Sequence, residues 1–352
     1  VGKWLLFPAS WLYGLITDFR NWLYDKKLMD VMTPSVYTIC VGNLTVGGTG
    51  KTPMVEFLIK RYQTTPARTD MAKPTATLSR GYGRKTTGFR IATDSDTATT
   101  IGDEPLQLYR RFSQLARICV GERRANAIQR ILHQYPETIR ILLDDGFQHR
   151  PVQAHLNILL MDYNRPFYDD YPFPVGRLRE RRHGARRADV VVVTKCPNDL
   201  WATEQQRITS HIQPYIQSDT PVFFAGLQYG HPVSFADQKP VTNLQKVMLV
   251  SGLANAAPLE QYVRRQFQLH YHERFPDHYD YSRADLDRLL SNLPSSTSLL
   301  TTEKDWVKLD ALLTDQERAT LPLYYLSIAV QFLPGNKLDF TTFLDNHALK
   351  NS

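Results

Sequence analysis

Ile39-Cys-Val-Gly-Asn-Leu-Thr-Val-Gly-Gly-Thr-Gly-Lys51-Thr52-Pro53 joins a short apolar run to a glycine-rich turn that ends in Gly-Lys-Thr. The run from Tyr37 to Val41, preceded by Pro34, predicts a β-strand. Beyond the turn, Met54 to Tyr62 carries apolar residues at helical spacing. Strand, glycine turn and helix in this order wrap a phosphate chain, because backbone N–H groups and the helix N-terminus both face the anion. Gly47, Gly48, Thr49 and Gly50 supply the loop, Lys51 reaches the outer phosphates, and the Thr52 hydroxyl can ligate Mg²⁺. The general motif places its first glycine at position 45, which is Thr45 in this chain. A plain glycine turn with a surface lysine would leave the flanking strand and helix as coincidence.

Outward from the loop, further apolar runs predict strands at Pro74–Leu78, Ala116–Val120, Ile139–Leu143, Leu156–Met161 and Asp189–Thr194. Helices are expected from Gly102 to Phe112 and from Glu122 to His133, with loop or hairpin over Lys85–Thr100. Strands that are apolar throughout and alternate with helices predict an α/β fold of the P-loop NTPase type. Its sheet is mostly parallel, with helices on both faces. After Pro221 the pattern loosens. Strands at Lys246–Val250, Ser298–Thr301 and Leu323–Ile328, and a helix at Pro258–Phe267, predict a smaller α/β unit. The expected division is an N-terminal helix over 1–30, a P-loop domain over 31–220, a linker over 221–245 and a C-terminal domain over 246–352.

Upstream, Trp4, Phe7, Trp11, Leu15, Phe19 and Trp22 recur every three or four residues, flanked by Lys3, Arg20, Lys26 and Lys27. Pro8, Asp18 and Arg20 interrupt this stripe too early for a transmembrane span of about 20 apolar residues. An interfacial membrane helix fits the tryptophans and lysines; packing on its own domain is the alternative. No cleavable signal is expected, since the small-residue cleavage pattern is missing. The 352 residues carry a net charge of +7, which suggests an anionic partner. Cys40, Cys119 and Cys196 are isolated, so neither a disulfide framework nor a zinc site is indicated, and a reducing setting is the simplest inference.

Chemistry-bearing residues cluster at predicted strand ends. Asp144 and Asp145 close an apolar strand at the edge where open α/β sheets bind ligands, so either can help hold Mg²⁺, although Asp-Gly is also a turn signal. Asp103 and Glu104 open a helix, where dipole pairing alone could explain them, or one could serve as base or metal-orienting acid. Asp277 and His278 are adjacent on a proline-containing turn, a candidate catalytic pair if the second unit closes over the loop. Arg177 to Arg187 holds six arginines, either a solvated basic loop or a phosphate clamp. No RNA module accompanies it, so nucleic acid is not an expected partner. Thr194-Lys195-Cys196-Pro197 has proline where a guanine-selecting motif needs aspartate, which disfavours GTP and favours ATP.

Several stretches together resemble one family, the tetraacyldisaccharide 4'-kinases (lipid A kinases) of Gram-negative bacteria. They are Gly42-Asn43 with Gly47-Gly-Thr-Gly-Lys-Thr-Pro53, Ser79-Arg-Gly-Tyr-Gly83, Gly102-Asp-Glu-Pro105 and Asp144-Asp-Gly-Phe-Gln-His149. Pro174-Val-Gly-Arg-Leu-Arg-Glu180, Val193-Thr-Lys-Cys-Pro197, Phe275-Pro-Asp-His278 and Thr302-Glu-Lys-Asp305 follow in family order. Thr45 belongs to the family's own loop variant, and the last 45 or so residues carry no transferable motif. The resemblance implies transfer of the ATP γ-phosphate to the 4'-hydroxyl of a lipid-linked disaccharide 1-phosphate, giving lipid IVA. The reaction would occur on the cytoplasmic face of the inner membrane, with no obligate protein partner. It also implies roles for individual residues. Asp103 and His278 look like the catalytic pair, and Glu104, Asp144 and Asp145 like metal-associated acids beside Thr52. Tyr82 and Arg179 resemble nucleotide or substrate contacts, with Arg177 as an alternative to Arg179. A P-loop kinase for another anionic or lipidic acceptor, or a switch or metallochaperone NTPase, are the competing expectations.

Overall fold

Turn-bounded apolar runs become strands across residues 5–64 and 75–350, the parts of the chain that the computed structural model describes. Lys3, Trp4 and the expected strand start at Pro74 lie outside them. In chain order the strands are β1 (Tyr37–Asn43), β2 (Thr75–Ser79), β3 (Arg90–Ile91), β4 (Arg117–Val120), β5 (Arg140–Asp144) and β6 (Leu156–Asp162). They continue as β7 (Val190–Thr194), β8 (Val222–Ser234), β9 (Lys246–Ser251), β10 (Gln268–Arg274), β11 (Ser298–Thr302) and β12 (Leu323–Phe332). The helices are α1 (Phe7–Asp25), α2 (Lys51–Thr64), α3 (Ala98–Ile101), α4 (Asp103–Phe112), α5 (Arg124–Gln134) and α6 (Ala202–Ile212). The chain adds α7 (Ala257–Gln266), α8 (Arg283–Ser291), α9 (Glu303–Leu309), α10 (Asp315–Thr320) and α11 (Asn336–Lys350).

One sheet runs through both halves in the order β10-β9-β11-β12-β8-β7-β6-β1-β5-β2-β4-β3. From β2 to β8 the central strands pair in parallel, with β3 antiparallel at the edge. Alternate side chains of these strands feed two cores. Ile39, Val41, Leu142, Ile158, Val190 and Val192 enter one, while Cys40, Ile141, Leu143, Leu159, Val191 and Val193 enter the other. Burial on both faces is why the strands read as uninterrupted apolar runs.

The interval 221–245, expected as a linker, contains β8. Its first residues pair in parallel with β7, at Val191–Val222, Val192–Phe223 and Val193–Phe224. From Ala225 to Ser234 it pairs instead with β12, antiparallel. β9 to β12 run parallel to one another and therefore point back towards the first half-sheet. The carboxyl edges of the two half-sheets thus face each other, and the edges where ligands bind line a common cleft. Residues 336–350, assigned from sequence to the C-terminal unit, form α11 and return to the first half. Phe340 is fully buried, with its ring near those of Phe57 on α2 and Phe223 on β8. Asp345 pairs with Arg61 at 2.6 Å.

Helix α1 is amphipathic in an inverted sense. Its buried positions are Ser10, Gly14, Thr17 and Asn21, and its docking contacts are polar. Ser10 Oγ donates to the Pro172 carbonyl at 2.6 Å, Asn21 Nδ2 donates to Glu180 Oε2 at 2.7 Å, and Asp18 pairs with Arg181 at 3.1 Å. The opposite face carries Trp11 at 64% exposure, Phe19 at 62% and Trp22 at 47%, with Leu12 and Ile16 between them. Pro8 sits in the first turn, where its missing N–H costs nothing. Among the described residues no helix is long and apolar enough to cross a membrane.

Candidate active site

The glycine loop follows β1 and opens into α2, as the strand–turn–helix pattern requires. Its shape is fixed from outside. Asn43 Nδ2 donates to Thr49 Oγ1 at 2.8 Å, Thr194 Oγ1 donates to the Thr49 carbonyl at 2.8 Å, and Lys195 Nζ donates to the Gly48 carbonyl. Lys195 is held in turn by Asp162 at 2.7 Å. A Cβ built on Gly47 or Gly48 would meet no protein atom within 4 Å. The loop is therefore uncovered at these two positions, as a phosphate cradle must be.

Beside the loop, β5 delivers Asp144 and Asp145. Asp145 has a φ of 51°, a left-handed conformation that aspartate tolerates better than most residues. It lies 3.8 Å from Lys51 Nζ and receives Arg179 Nη1 on both oxygens, at 2.8 and 2.9 Å. Burial opposes its charge, but Lys51 and Arg179 outweigh burial and keep the carboxyl below its usual range. Asp144 is 1% exposed, and its Oδ1 has no hydrogen-bond partner among the described residues. Burial and the nearby Glu104 push its carboxyl up to about 7, against the pull of Lys51. A buried carboxylate oxygen without a partner, beside a second acid and a hydroxyl-bearing loop, fits a hard cation such as Mg²⁺. Among the described residues no three His, Cys, Asp or Glu side chains form a metal cage. A cation here would thus rely on phosphate oxygens and water for its remaining ligands.

Across the cleft, Asp103 and His278 meet although 175 residues separate them in the chain. Gly102, with φ of 95°, turns the chain into α4; a Cβ there would come within 2.9 Å of the Tyr82 carbonyl oxygen. That close approach seats Asp103 at the helix start. His278, itself at φ 58°, presents Nδ1 3.3 Å from Asp103 Oδ2, and the exposed Tyr82 ring stands edge-on to the imidazole at 5.8 Å. Burial disfavours the Asp103 charge, yet His278 and Lys308 together hold its pKa below the usual value.

The residues expected from sequence therefore fall in two groups in one cleft: the loop, Lys51, Thr52, Asp144, Asp145 and Arg179, and then Asp103 and Tyr82 of the same half-sheet, with His278 reaching Asp103 from the other. Glu104 lies electrostatically close to Asp144 and links them. The arginine run is not a free basic loop. Arg179 grips Asp145, Arg181 binds Asp18, Arg182 donates to the Asp170 carbonyl and Arg187 pairs with the fully buried Glu180 at 2.7 Å. Arg177 differs. It lines a cleft of about 640 Å³ with Asn164 and Arg165. Sequence reasoning missed Lys308, whose Nζ lies 2.6 Å from Asp103 Oδ2. It also missed Arg124, which donates to the carbonyls of Asp144 and Asp145 at 2.9 and 3.1 Å. Lys304 within Thr302-Glu-Lys-Asp305 and Lys308 one helical turn on were the available signal for the lysine.

The chain is similar to known proteins along nearly its whole length. A model of the family described as tetraacyldisaccharide-1-P 4'-kinase matches residues 2–348. The tetraacyldisaccharide 4'-kinase of Cytophaga hutchinsonii is 41% identical over 316 residues, 89% of this chain and 87% of the relative. That of Flavobacterium johnsoniae is 38% identical, covering 94% of this chain and 92% of its own length. Among solved structures, LpxK from Aquifex aeolicus in complex with ATP superposes with a TM-score of 0.74 at 27% identity. That superposition covers 97% of this chain and 99% of the other.

Proposed function

The chain belongs to the tetraacyldisaccharide-1-P 4'-kinase family, and from that premise we propose how its cleft transfers a phosphoryl group. The protein is a lipid A 4'-kinase that uses ATP to phosphorylate the 4'-hydroxyl of a tetraacylated disaccharide 1-phosphate. The product is the bis-phosphorylated lipid IVA. One observation supports the assignment of roles: His278 of the second half-sheet meets Asp103 of the first, whose neighbour Glu104 lies close to the strand-end acid Asp144.

Asp103 accepts the hydroxyl proton as the acceptor oxygen bonds to the γ-phosphorus and the bond to the bridging oxygen of ADP breaks. His278, 3.3 Å away, orients that carboxylate. Lys51, the loop N–H groups and Arg179 neutralise charge on the phosphates. Thr52, Asp144, Asp145 and Glu104 are the residues that would hold Mg²⁺. When bound, the ion would draw charge off the transferring phosphoryl group. Tyr82 is placed to contact nucleotide or acceptor beside His278. Approach of the two half-sheets over bound substrates would exclude water and limit wasteful hydrolysis. The discriminating experiment follows labelled γ-phosphate with and without a disaccharide-1-phosphate lipid. The reading expects label on the acceptor and little acceptor-free ATP turnover; hydrolysis indifferent to the acceptor would point to a switch NTPase.

The apolar face of α1 supports a monotopic seat on the cytoplasmic leaflet of the inner membrane. Each large side chain there gains about 1.5–3 kcal/mol on burial, and the flanking Lys26 and Lys27 favour anionic headgroups. Replacing Trp11, Phe19 and Trp22 together by serine should lower the fraction bound to phosphatidylglycerol-containing vesicles by about tenfold or more. Phosphorylation of acceptor dispersed in detergent should persist. Unchanged vesicle binding would sink the assignment of this face to the membrane.

A further inference from the structure

Helix α9 begins where Thr302 caps it, its side chain accepting from the Asp305 N–H. The helix is anchored from below. Trp306 stacks on Tyr325 at 4.4 Å, and the buried Asp305 accepts from the Gly252 N–H and the Tyr281 hydroxyl at 3.0 and 3.1 Å. Glu303 receives Arg111 of α4 at 2.9 Å, and the same guanidinium binds Glu56 of α2 at 2.7 Å. The helix bearing the P-loop lysine, the helix bearing Asp103 and α9 are thereby tied to one another.

From this fixed base two lysines project one turn apart. Lys304 Nζ lies 2.7 Å from Asp277 Oδ1 and 3.3 Å from His278 Nε2. Lys308, only 6% exposed, places Nζ 2.6 Å from Asp103 Oδ2 and donates to the Tyr279 carbonyl at 2.9 Å. The choice of oxygen matters. Lys308 and His278 both engage Oδ2 of Asp103, so Oδ1 is left for the acceptor. A carboxylate pinned through one oxygen cannot spin about its Cβ–Cγ bond, and the pinned orientation fixes where the other oxygen points.

We propose that Lys308 is a positioning residue for phosphoryl transfer: it anchors Asp103 by Oδ2 so that Oδ1 alone is presented to the acceptor hydroxyl, while Lys304 steadies His278 from the same helix face. The proposal rests on the reading of Asp103 as the base. A lysine is suited to this place because its compact ammonium can donate to a carboxylate and a backbone carbonyl together. Effective catalysis depends on such placement, since an error of about 1 Å can cost about 10²-fold in rate.

Steady-state phosphorylation of the disaccharide-1-phosphate lipid by the full chain tests it. Lys308→Met should lower kcat by about 10–100-fold with KM for ATP within about twofold, and Lys308→Arg, which keeps the charge but not the compact ammonium, should recover only part of the loss. In an Asp103→Asn background, Lys308→Met should cost less than about threefold, because its target no longer serves as base. An equal penalty on both backgrounds overturns the proposal, as does a rise in KM for ATP at unchanged kcat. Full activity of Asp103→Asn alone would instead overturn the underlying reading of the base. Should Lys308→Met not fold, Lys304→Met provides the second arm: a several-fold loss of kcat that disappears in a His278→Ala background supports the arrangement, and a loss that persists there refutes it.

Discussion

Asp103→Asn should lower kcat for acceptor phosphorylation by about 10²–10⁴-fold, the range that general base catalysis contributes, while nucleotide affinity stays within about twofold. Asparagine keeps the shape of the carboxylate and one acceptor oxygen, but its amide cannot take a proton. The side chain sits at the start of α4, outside the glycine loop that joins β1 to α2, so its loss leaves the phosphate cradle intact. His278→Ala should be milder, because the imidazole acts on the hydroxyl only through the aspartate 3.3 Å away. The double variant should then fall well short of the two single losses multiplied. Single-turnover rates with saturating ATP, together with titration of a fluorescent nucleotide, separate the two parameters. A full multiplicative loss would mean that Asp103 and His278 do not act as a unit.

Lys51→Ala should be comparably severe but with a different signature: kcat down by about 10²–10³-fold and ATP binding visibly weakened. Lys51 lies 3.8 Å from Asp145 and acts on the charge of both strand-end acids. Without it the pocket would present Asp144, Asp145 and Glu104 to a polyphosphate with Arg179 and the buried Arg124 to offset them. Arg179 itself is engaged by Asp145 through both oxygens. Nucleotide titration and turnover on the same preparation distinguish this outcome from that of Asp103→Asn, since only the loop lysine should affect both. Retention of ATP affinity in Lys51→Ala would remove the lysine from the phosphate site.

The parallel core and the glycine loop were legible because local sequence encodes both. A strand buried on two faces must be apolar at every position, and a loop that wraps phosphate must be rich in glycine. β8 was not legible for the opposite reason. Gly226, Gly230 and Pro232 interrupt it, and these residues ordinarily break strands. Pairing along nearly its whole length with β12 overrides that local preference. β10 was hidden by its polarity: Gln268–Arg274 forms the open edge of the sheet, where charged side chains discourage association with other strands. The Asp103–His278 pair could be suggested only by family resemblance, since no spacing rule joins residues on opposite half-sheets. Lys308 was missed for want of the same tertiary information. The helical stripe in α1 was readable, but which face would dock was not. Ser10, Gly14, Thr17 and Asn21 look like the solvent side until Glu180 and the Pro172 carbonyl supply their partners.

The unbroken β8 makes the width of the cleft a matter of strand length. The ten residues from Ala225 to Ser234 extend beyond β7 by about 33 Å at the usual strand rise. They act as a gauge that sets how far apart the two carboxyl edges stand. The handover from β7 to β12 falls at Ala225 and Gly226, and a Cβ on Gly226 would come within 2.9 Å of the Cys196 carbonyl oxygen. Flexing confined to that junction would tilt the far half-sheet as a lever. A two-residue insertion in β8 would preserve which side chains face which core, yet lengthen the gauge by about 7 Å. That span would carry His278 out of reach of Asp103, so strand length, more than any loop, meters the catalytic distance.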